Sequence, residues 1–420
     1  MNTAPISGMQ ELLPAAQATF NELKNRITET YRQHGYLAIE TPMIDRCEVL
    51  LAKAGGDTEK QIYKVVKTAE ASDDADQALR FDHTVPLARY VVEHENDLAF
   101  PFKVTQIGRN FRGERAQKGR FREFYQCDVD VIGRGELPLY YDADVVGTLL
   151  DAFSKFELGT PVMARMNNRK ILSGLLAEYN LENQAGAVFN IVDHAEKVPV
   201  EATREAFANL GLGTDRVEKL MAFIEINGAR VSVIEALRAL DVQDDGFEAG
   251  VAELDTVMGL LEAEGRGGEI KADMKIVRGL DYYTGTVFEF NLPEHPEVGS
   301  VCGGGRYENL AGYFTEQKLP GVGGSIGLTR LFYVLNANNL VAEATAQPVD
   351  VAVVPISEAE VEYAMQVAGS LRAEGKSVTV VAGEKRLGDK LKYAAKVARA
   401  GIVLGEDEVK SGKYGVKEFN

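Results

Sequence analysis

Apolar residues at Phe20, Leu23, Ile27 and Tyr31 recur at spacings of three and four, which places them on one face of a helix, and Gly35 stands where that helix would be capped. The next segment, YLAIET, reads as a short strand running into Pro42. Helical spacing returns over 84–95, followed by the strand FKVTQIG and a long arginine-rich hairpin over 109–132. From about 165 to 265 the pattern turns helical, and RKILSGLLAEY, RVEKLMAFIE and VIEALRAL are each amphipathic. This block reads as a helical insertion. Strand patterns resume at ADMKIVRG, at RGLDYYTGTVFEF and around SVCGGGRY. Past a linker, AEATAQPVD, strands and helices alternate from VDVAVVPI to IVLG, the signature of a small α/β domain with a largely parallel sheet.

The 420 residues exceed what one hydrophobic core serves, so two or three domains are expected. The acidic stretch EASDDADQA reads as an exposed loop. No apolar run reaches membrane-spanning length, and the start, MNTAPISGMQELLP, has neither a basic leader nor an apolar signal core; a cytoplasmic protein without membrane contact is expected. Cys47, Cys127 and Cys302 are too scattered for a zinc ribbon or a disulfide framework, and the five histidines form no HExxH spacing, so no protein-bound metal is expected. A net charge of −17 argues against a nonspecific nucleic-acid coat, because phosphate neutralisation needs a positive surface. Local basic patches are compatible with it.

One such patch is RNFRGERAQKGRFREFYQCDVDVIG, residues 109–133, where Arg109, Arg112, Arg115, Lys118, Arg120 and Arg122 crowd around Gly113 and Gly119. A tight turn there presents several planar guanidinium forks to one polyanion. The strand that follows puts Tyr125, Cys127, Val129 and Val131 on one face and Gln126, Asp128 and Asp130 on the other. From charge alone, a solvated hairpin with salt bridges to Glu114 and Glu123 is the competing reading. In RGLDYYTGTVFEF, Arg278 opens a strand whose alternation sends Asp281, Tyr283, Val287 and Glu289 to one side and Tyr282, Thr284, Thr286 and Phe288 to the other. Tyrosine supplies an aromatic wall and a hydroxyl together, which suits a polar aromatic ligand as well as a packed core. CGGGRYENL places three glycines before a predicted helix, either for close approach of a ligand or for a plain tight turn. PGVGGSIGLTRLF leads a glycine-rich strand into a helix whose first turn bears Arg330, a combination that attracts anions. Nucleotide fingerprints of the usual kinds are missing: AEGKSV has Ser370 where a P-loop needs glycine, and no GxGxxG follows a strand.

In their order along the chain these segments resemble the class II aminoacyl-tRNA synthetases, and within them the histidyl family. ELKNRITETYRQHGYLAIETP resembles the first class motif, FRGERAQKGRFREFYQCDVDVIG the second, GSIGLTRLF the third and RGLDYYTGTVFEF the histidine-specific signature, while FDHTVPLARY and CGGGRY also match. The resemblance implies an α+β fold: a class II catalytic core over 1–340 with an antiparallel sheet flanked by helices and the helical insertion about 165–265, a linker at 341–348, and an anticodon-binding-like α/β domain at 349–420. It implies ATP, with Mg2+, and L-histidine as substrates, a histidine tRNA as acceptor, and a homodimer. Residue by residue, it implies that Arg112 meets the α-phosphate, that Glu114 orients the adenine end, that Arg330 holds the γ-phosphate and that Arg278 lies across the α-phosphate. Asp82 and Thr84 would take the ammonium, Gln126 with Arg112 the carboxylate region, and Asp130 with Tyr282 and Tyr283 the imidazole; Gly303, Gly304 and Gly305 would floor the pocket, and Arg120 would help hold the substrates.

In the last domain Leu387, Leu391, Ala394 and Ala398 would face a core while Lys392, Lys396 and Arg399 share another helix face, for tRNA or simply for solvent. Two positions depart from the family pattern. Thr329 stands where relatives carry an acidic residue, and the chain stops at GVKEFN where the family continues, which implies a last domain shortened at its end. The competing class is a histidine-sensing regulatory subunit of ATP phosphoribosyltransferase, expected to lack the tRNA-binding domain and parts of the catalytic motifs.

Overall fold

A computed structural model describes residues 2–52, 59–68, 75–115, 119–156, 158–277, 283–309, 311–340 and 349–419. They form two compact units, one of Met1–Gln10 with Leu23–Val341 and one of Glu11–Glu22 with Ala342–Asn420. The linker at 341–348 and most of the acidic loop lie outside the described residues.

The first helix, Pro14–Gln33, buries the four residues that its spacing predicts, and Gly35 adopts φ +79° beyond its end, a conformation open to glycine without steric cost. The strand after it, β1 (Leu37–Ala38), is shorter than YLAIET suggests. A small antiparallel sheet follows, β2 (Ile44–Arg46), β3 (Lys64–Val65) and β4 (Gln77–Leu79), in the order β2-β4-β3. Then come the hairpin β5 (Phe102–Phe111) and β6 (Glu123–Ile132), β7 (Met163–Asn168), β8 (Asn227–Gly228), β9 (Ile270–Asp273), β10 (Thr286–Asn291), β11 (Cys302–Tyr307) and β12 (Gly321–Ile326). Among the described residues these build a nine-stranded sheet in the order β1-β5-β6-β12-β11-β10-β7-β9-β8. Its six central strands pair antiparallel; β1 joins β5, and β9 joins β7, in parallel.

Three expectations change. CGGG is neither a turn nor the start of a helix: the glycines lie inside β11, in the middle of the sheet, and among the described residues the next element is a single 3-10 turn, Ala311–Tyr313. Regular pairing in RGLDYYTGTVFEF begins at Thr286, with Tyr283 ahead of the strand. The helical block begins at Arg169, since Arg165 sits in β7; its first helix, Arg169–Glu178, and its last, Asp245–Ala263, pack together, and the last also packs on β7.

The pleat explains what each face does. Gly304 and Arg306 on β11 point toward the helix Tyr140–Ser154, where Arg306 makes a buried ion pair with Asp142 at 2.5 Å. Gly303, Gly305 and Tyr307 point the other way, in register with Ser325, Gly323 and Gly321 of β12 and, through them, with Asp128, Asp130 and Ile132 of β6. The alternation read along β6 is thus realised, but its polar face is buried as deeply as its apolar one, with Asp128 at 3% and Asp130 at 4% exposure.

In the second unit β13 (Val349–Pro355), β14 (Val378–Val380), β15 (Ala398–Leu404) and β16 (Lys417–Glu418) form a sheet of order β14-β13-β15-β16, parallel except for β16. The helix expected across GDKLKYAAKVARAG stops at Val397 because Ala398 turns extended and pairs with Val349. Arg399 therefore belongs to β15 and shares no helix face with Lys392 and Lys396. Lys390, on the same helix, is buried, and its ammonium donates to the carbonyls of Pro355 (3.0 Å) and Ile356 (3.3 Å), which satisfy the charge.

Candidate active site

The face of the large sheet opposite the helix Tyr140–Ser154 carries a cleft of about 1150 Å3. Ten of the residues singled out in the sequence line it: Asp82, Thr84, Arg112, Glu114, Arg120, Gln126, Asp130, Tyr283, Gly303 and Arg330. Arg278 and Tyr282 lie outside the described residues, as does Lys118.

At one wall Asp82 accepts a hydrogen bond from the Val85 amide (3.0 Å) at the start of the helix Thr84–Glu93, and burial pushes its carboxyl above the usual carboxylate range. Across the hairpin, the Arg112 guanidinium lies over the rings of Phe81 (4.3 Å to the centroid) and Phe124 (5.0 Å), and its Nε donates to the Phe81 carbonyl (3.3 Å). Two aromatic faces and one carbonyl hold the fork in a single plane. Arg120 pairs with Glu114 at 3.4 Å. Arg330, entering from the helix Leu328–Ala337, donates to the Val298 carbonyl (2.8 Å); burial and then Arg120 lower its pKa, while Glu289 and Glu114 offset part of that. The guanidinium groups of Arg112, Arg120 and Arg330 thus line one cavity, with Glu114 and Glu289 on its wall.

Thr329, the departure from the family pattern, is buried, and its hydroxyl accepts the amide of Tyr125 (2.7 Å). It fastens the Arg330 helix to β6 by a neutral hydrogen bond.

Deeper in, the Tyr307 hydroxyl donates to Asp130 (2.9 Å). A Cβ on Gly323 would stand 2.0 Å from Asp130 Oδ1, and one on Gly305 would stand 2.8 Å from the Tyr283 ring, so these two glycines make room for the groups that shape the pocket floor. Gly305 supports the floor from behind without lining the cleft, whereas Gly304 faces the helix side, packed on Phe288, and takes no part in the floor. Sequence reasoning left Asp128, Ser325 and Tyr307 without a role. Asp128 carried a signal in the alternation of β6, but the other two become neighbours only through pairing with distant strands.

Burial first, and the neighbouring Asp128 carboxylate second, push the Asp130 carboxyl well above its ordinary value. The sign follows directly. A carboxyl raised on folding contributes its full stability below the unfolded value and loses it as pH rises through the folded one. D130N, which cannot ionise, is therefore expected to unfold at higher denaturant than wild type at pH 7.5, by about 1 kcal/mol. The gap should close as pH falls toward about 4. Urea titrations at both pH values test this, and a wild type more stable than D130N at pH 7.5 would refute the buried, costly carboxylate.

At the outer end of the cleft, Arg165 donates to Asp273 (3.0 Å) and Glu196 (2.9 Å), tying the helical block to the sheet. Among the described residues no group of three or more histidine, cysteine or acidic side chains is placed to hold a metal ion, and no helix is long and apolar enough to cross a membrane.

Residues 8–331 match the family model for histidyl-tRNA synthetase, and residues 350–420 match that for the anticodon binding domain. A curated histidine–tRNA ligase of Clostridium tetani is 44% identical over 418 residues, covering 99% of this chain and 93% of that protein. The crystal structure of histidyl-tRNA synthetase from Nostoc sp. PCC 7120 superposes with a TM-score of 0.88 at 35% identity, covering 100% of this chain and 95% of the other. A Bacillus halodurans structure described as an ATP phosphoribosyltransferase regulatory subunit/histidyl-tRNA synthetase shares the fold, with a TM-score of 0.79 at 23% identity over 96% of this chain and 99% of that one.

Proposed function

The chain belongs to the histidyl-tRNA synthetase family, and on that premise we propose that it activates L-histidine with ATP and transfers the histidyl group to the 3′ end of a histidine tRNA. The observation that carries this reading is a single cleft in which Arg112, Arg120 and Arg330 stand beside the buried pair Asp130–Tyr307. Cations for a triphosphate and an acceptor for an imidazole N–H meet within one cavity.

In the first step a carboxylate oxygen of histidine attacks the α-phosphorus of ATP, a new P–O bond forms, and the bond to pyrophosphate breaks. Negative charge grows on the phosphoryl oxygens. Arg112, held against the rings of Phe81 and Phe124, stabilises it without reorganising, and Arg330 holds the γ-phosphate. Arg278 acts across the α-phosphate, Glu114 orients the adenine end, and Arg120 helps hold the substrates. Asp82 and Thr84 take the ammonium, Gln126 with Arg112 the carboxylate, and Asp130 with Tyr282 and Tyr283 the imidazole, over a floor formed at Gly303 and supported by Gly305. Recognition by buried partners is selective because an analogue lacking a ring nitrogen leaves them unpaired. Mg2+ would come as part of the nucleotide substrate and would neutralise phosphate charge; Glu114 and Glu289, which line the cleft around Arg330, are the carboxylates that would face it there. In the second step a hydroxyl of the terminal ribose attacks the histidyl carbonyl and AMP leaves, with no covalent enzyme intermediate.

We assign 1–340 to the catalytic core, 341–348 to a linker and 349–420 to anticodon binding, supported by the two family matches at 8–331 and 350–420. The active species is a homodimer in the cytoplasm. Amino-acid-dependent exchange of labelled pyrophosphate into ATP, run with each of the twenty amino acids, tests the reading. Exchange with histidine alone is expected; exchange with a different amino acid would mean the pocket is misread. Silence with all twenty, from folded protein, would favour a histidine-sensing regulatory subunit, a reading opposed by the match to an anticodon binding domain.

A further inference from the structure

Asp128 has no part in the chemistry above, yet it is 3% exposed and lines the cleft. Its Oδ1 accepts the Ser325 hydroxyl at 2.5 Å, and its Oδ2 stands 3.3 Å from Nδ1 of the buried His83, the residue between Asp82 and Thr84. Ser325 in turn accepts Nε2 of Gln126 at 2.7 Å, and Oε1 of Gln126 accepts the Asn110 amide at 2.8 Å.

The directions of these bonds are coupled. A serine hydroxyl has one hydrogen, and a carboxylate can only accept it. With that hydrogen committed to Asp128, Ser325 can only receive from Gln126, so Gln126 must turn its NH2 toward Ser325 and its carbonyl toward Asn110. Among the hydrogen bonds of the described residues, the second Nε2 hydrogen of Gln126 has no partner, and Gln126 lines the cleft. We propose that Asp128 is a positioning residue: acting through Ser325, it sets the amide orientation of Gln126 so that an N–H, and not a carbonyl oxygen, meets the carboxylate of the amino-acid substrate. This rests on the reading of the cleft as a histidine-activating site.

In D128N the new amide donates to Ser325, the serine hydroxyl is released to donate to Gln126, and the glutamine amide turns over together with that of Asn110, whose otherwise unpartnered Oδ1 then accepts from Gln126. Its carbonyl oxygen then faces the substrate carboxylate, an unfavourable pairing in a site sheltered from water.

Pyrophosphate exchange by the full chain tests this. D128N is expected to raise KM for histidine about tenfold while KM for ATP stays within about twofold and kcat within about threefold. The inhibition constant of histidinol, which carries an alcohol in place of the carboxylate, should stay within about twofold of wild type. In an S325A background the go-between is gone, so adding D128N should change KM for histidine by less than about twofold. S325A by itself should show the same histidine-specific rise, which keeps the test open if D128N fails to fold.

Equal losses for histidine, histidinol and ATP would make Asp128 a general support and overturn the proposal. Independent multiplication of the S325A and D128N effects, or an S325A enzyme with wild-type KM, would also overturn it. A wild type without histidine-dependent exchange would instead sink the functional reading beneath it, an outcome distinct from an active wild type whose variants are insensitive.

Discussion

R112A is expected to lower kcat/KM for histidine-dependent pyrophosphate exchange by about a thousandfold, ~4 kcal/mol of transition-state stabilisation. Neither charge nor proximity alone accounts for a loss of that size. The guanidinium lies over Phe81 and Phe124 and is anchored through Nε to the Phe81 carbonyl, so its plane and its distance from a bound phosphate are set before substrate arrives. R112K is therefore expected to recover less than about a tenth of the lost activity, because an ammonium on a flexible stem keeps the charge and loses both the stacking and the fork. Separate titrations of ATP and histidine, with melting curves as a control for folding, decide the matter. A variant within about threefold of wild type in kcat/KM would remove Arg112 from the reacting phosphate.

G304A is expected to be the most damaging single methyl group in the first unit. The added carbon would lie 2.0 Å from the Gly323 carbonyl oxygen, 2.6 Å from Gly324 Cα and 2.6 Å from the Phe288 ring. Two of these obstacles are backbone of the adjacent central strand, and the third is a fully buried side chain beneath the helix Tyr140–Ser154. Relief requires the sheet to part, at a cost of about 3 kcal/mol or more. G369A is the natural control: Gly369 lies in the helix Val361–Ala373 with nothing within 4 Å, and alanine there should be neutral or stabilising by about 0.5 kcal/mol. Urea unfolding of both variants compares them directly. If G304A unfolded at wild-type denaturant, the close crossing of β11 and β12 would be wrong.

These two residues also mark what the chain discloses before it is folded. Arg112 was legible because its signal is local: arginines gathered at a glycine turn, followed by a strand with a polar face, carry their meaning within one hairpin. The first helix and the passage from a glycine-rich strand into the Arg330 helix were legible for the same reason, since periodicity and helix starts are properties of consecutive residues. Gly304 was misread because its reason lies across the sheet, in Gly323 and Gly324, which no local pattern connects to it. The burial of Asp128 beside Ser325 escaped similarly, for a polar strand face reads as solvated until another wall closes over it. Arg399 was misplaced because alanine-rich KVARAG continues a helix as readily as it begins a strand; pairing of Ala398 with Val349 decides between them. The start of the helical block was set at about 165 on the amphipathicity of the segments that follow, whereas Met163–Asn168 form β7, held in place by pairing with β10.

The order of strands in the large sheet bears on how the chain reaches this structure as it is made. Strands β5 and β6 are neighbours in sequence and can pair as soon as they emerge from a ribosome, yet the other edge of β6 waits for β12, with Ile132 opposite Gly321 and Cys127 opposite Ile326. Residues 133–320, more than half of the first unit, must be translated in between. At about 5–20 residues per second that interval is roughly ten seconds or more, long beside the microseconds in which a hairpin closes. Throughout it, a strand bearing Asp128 and Asp130 on one face and Cys127, Val129 and Val131 on the other has a bare edge. The acidic pair, costly once buried, keeps that waiting edge hydrated and apart from other nascent chains.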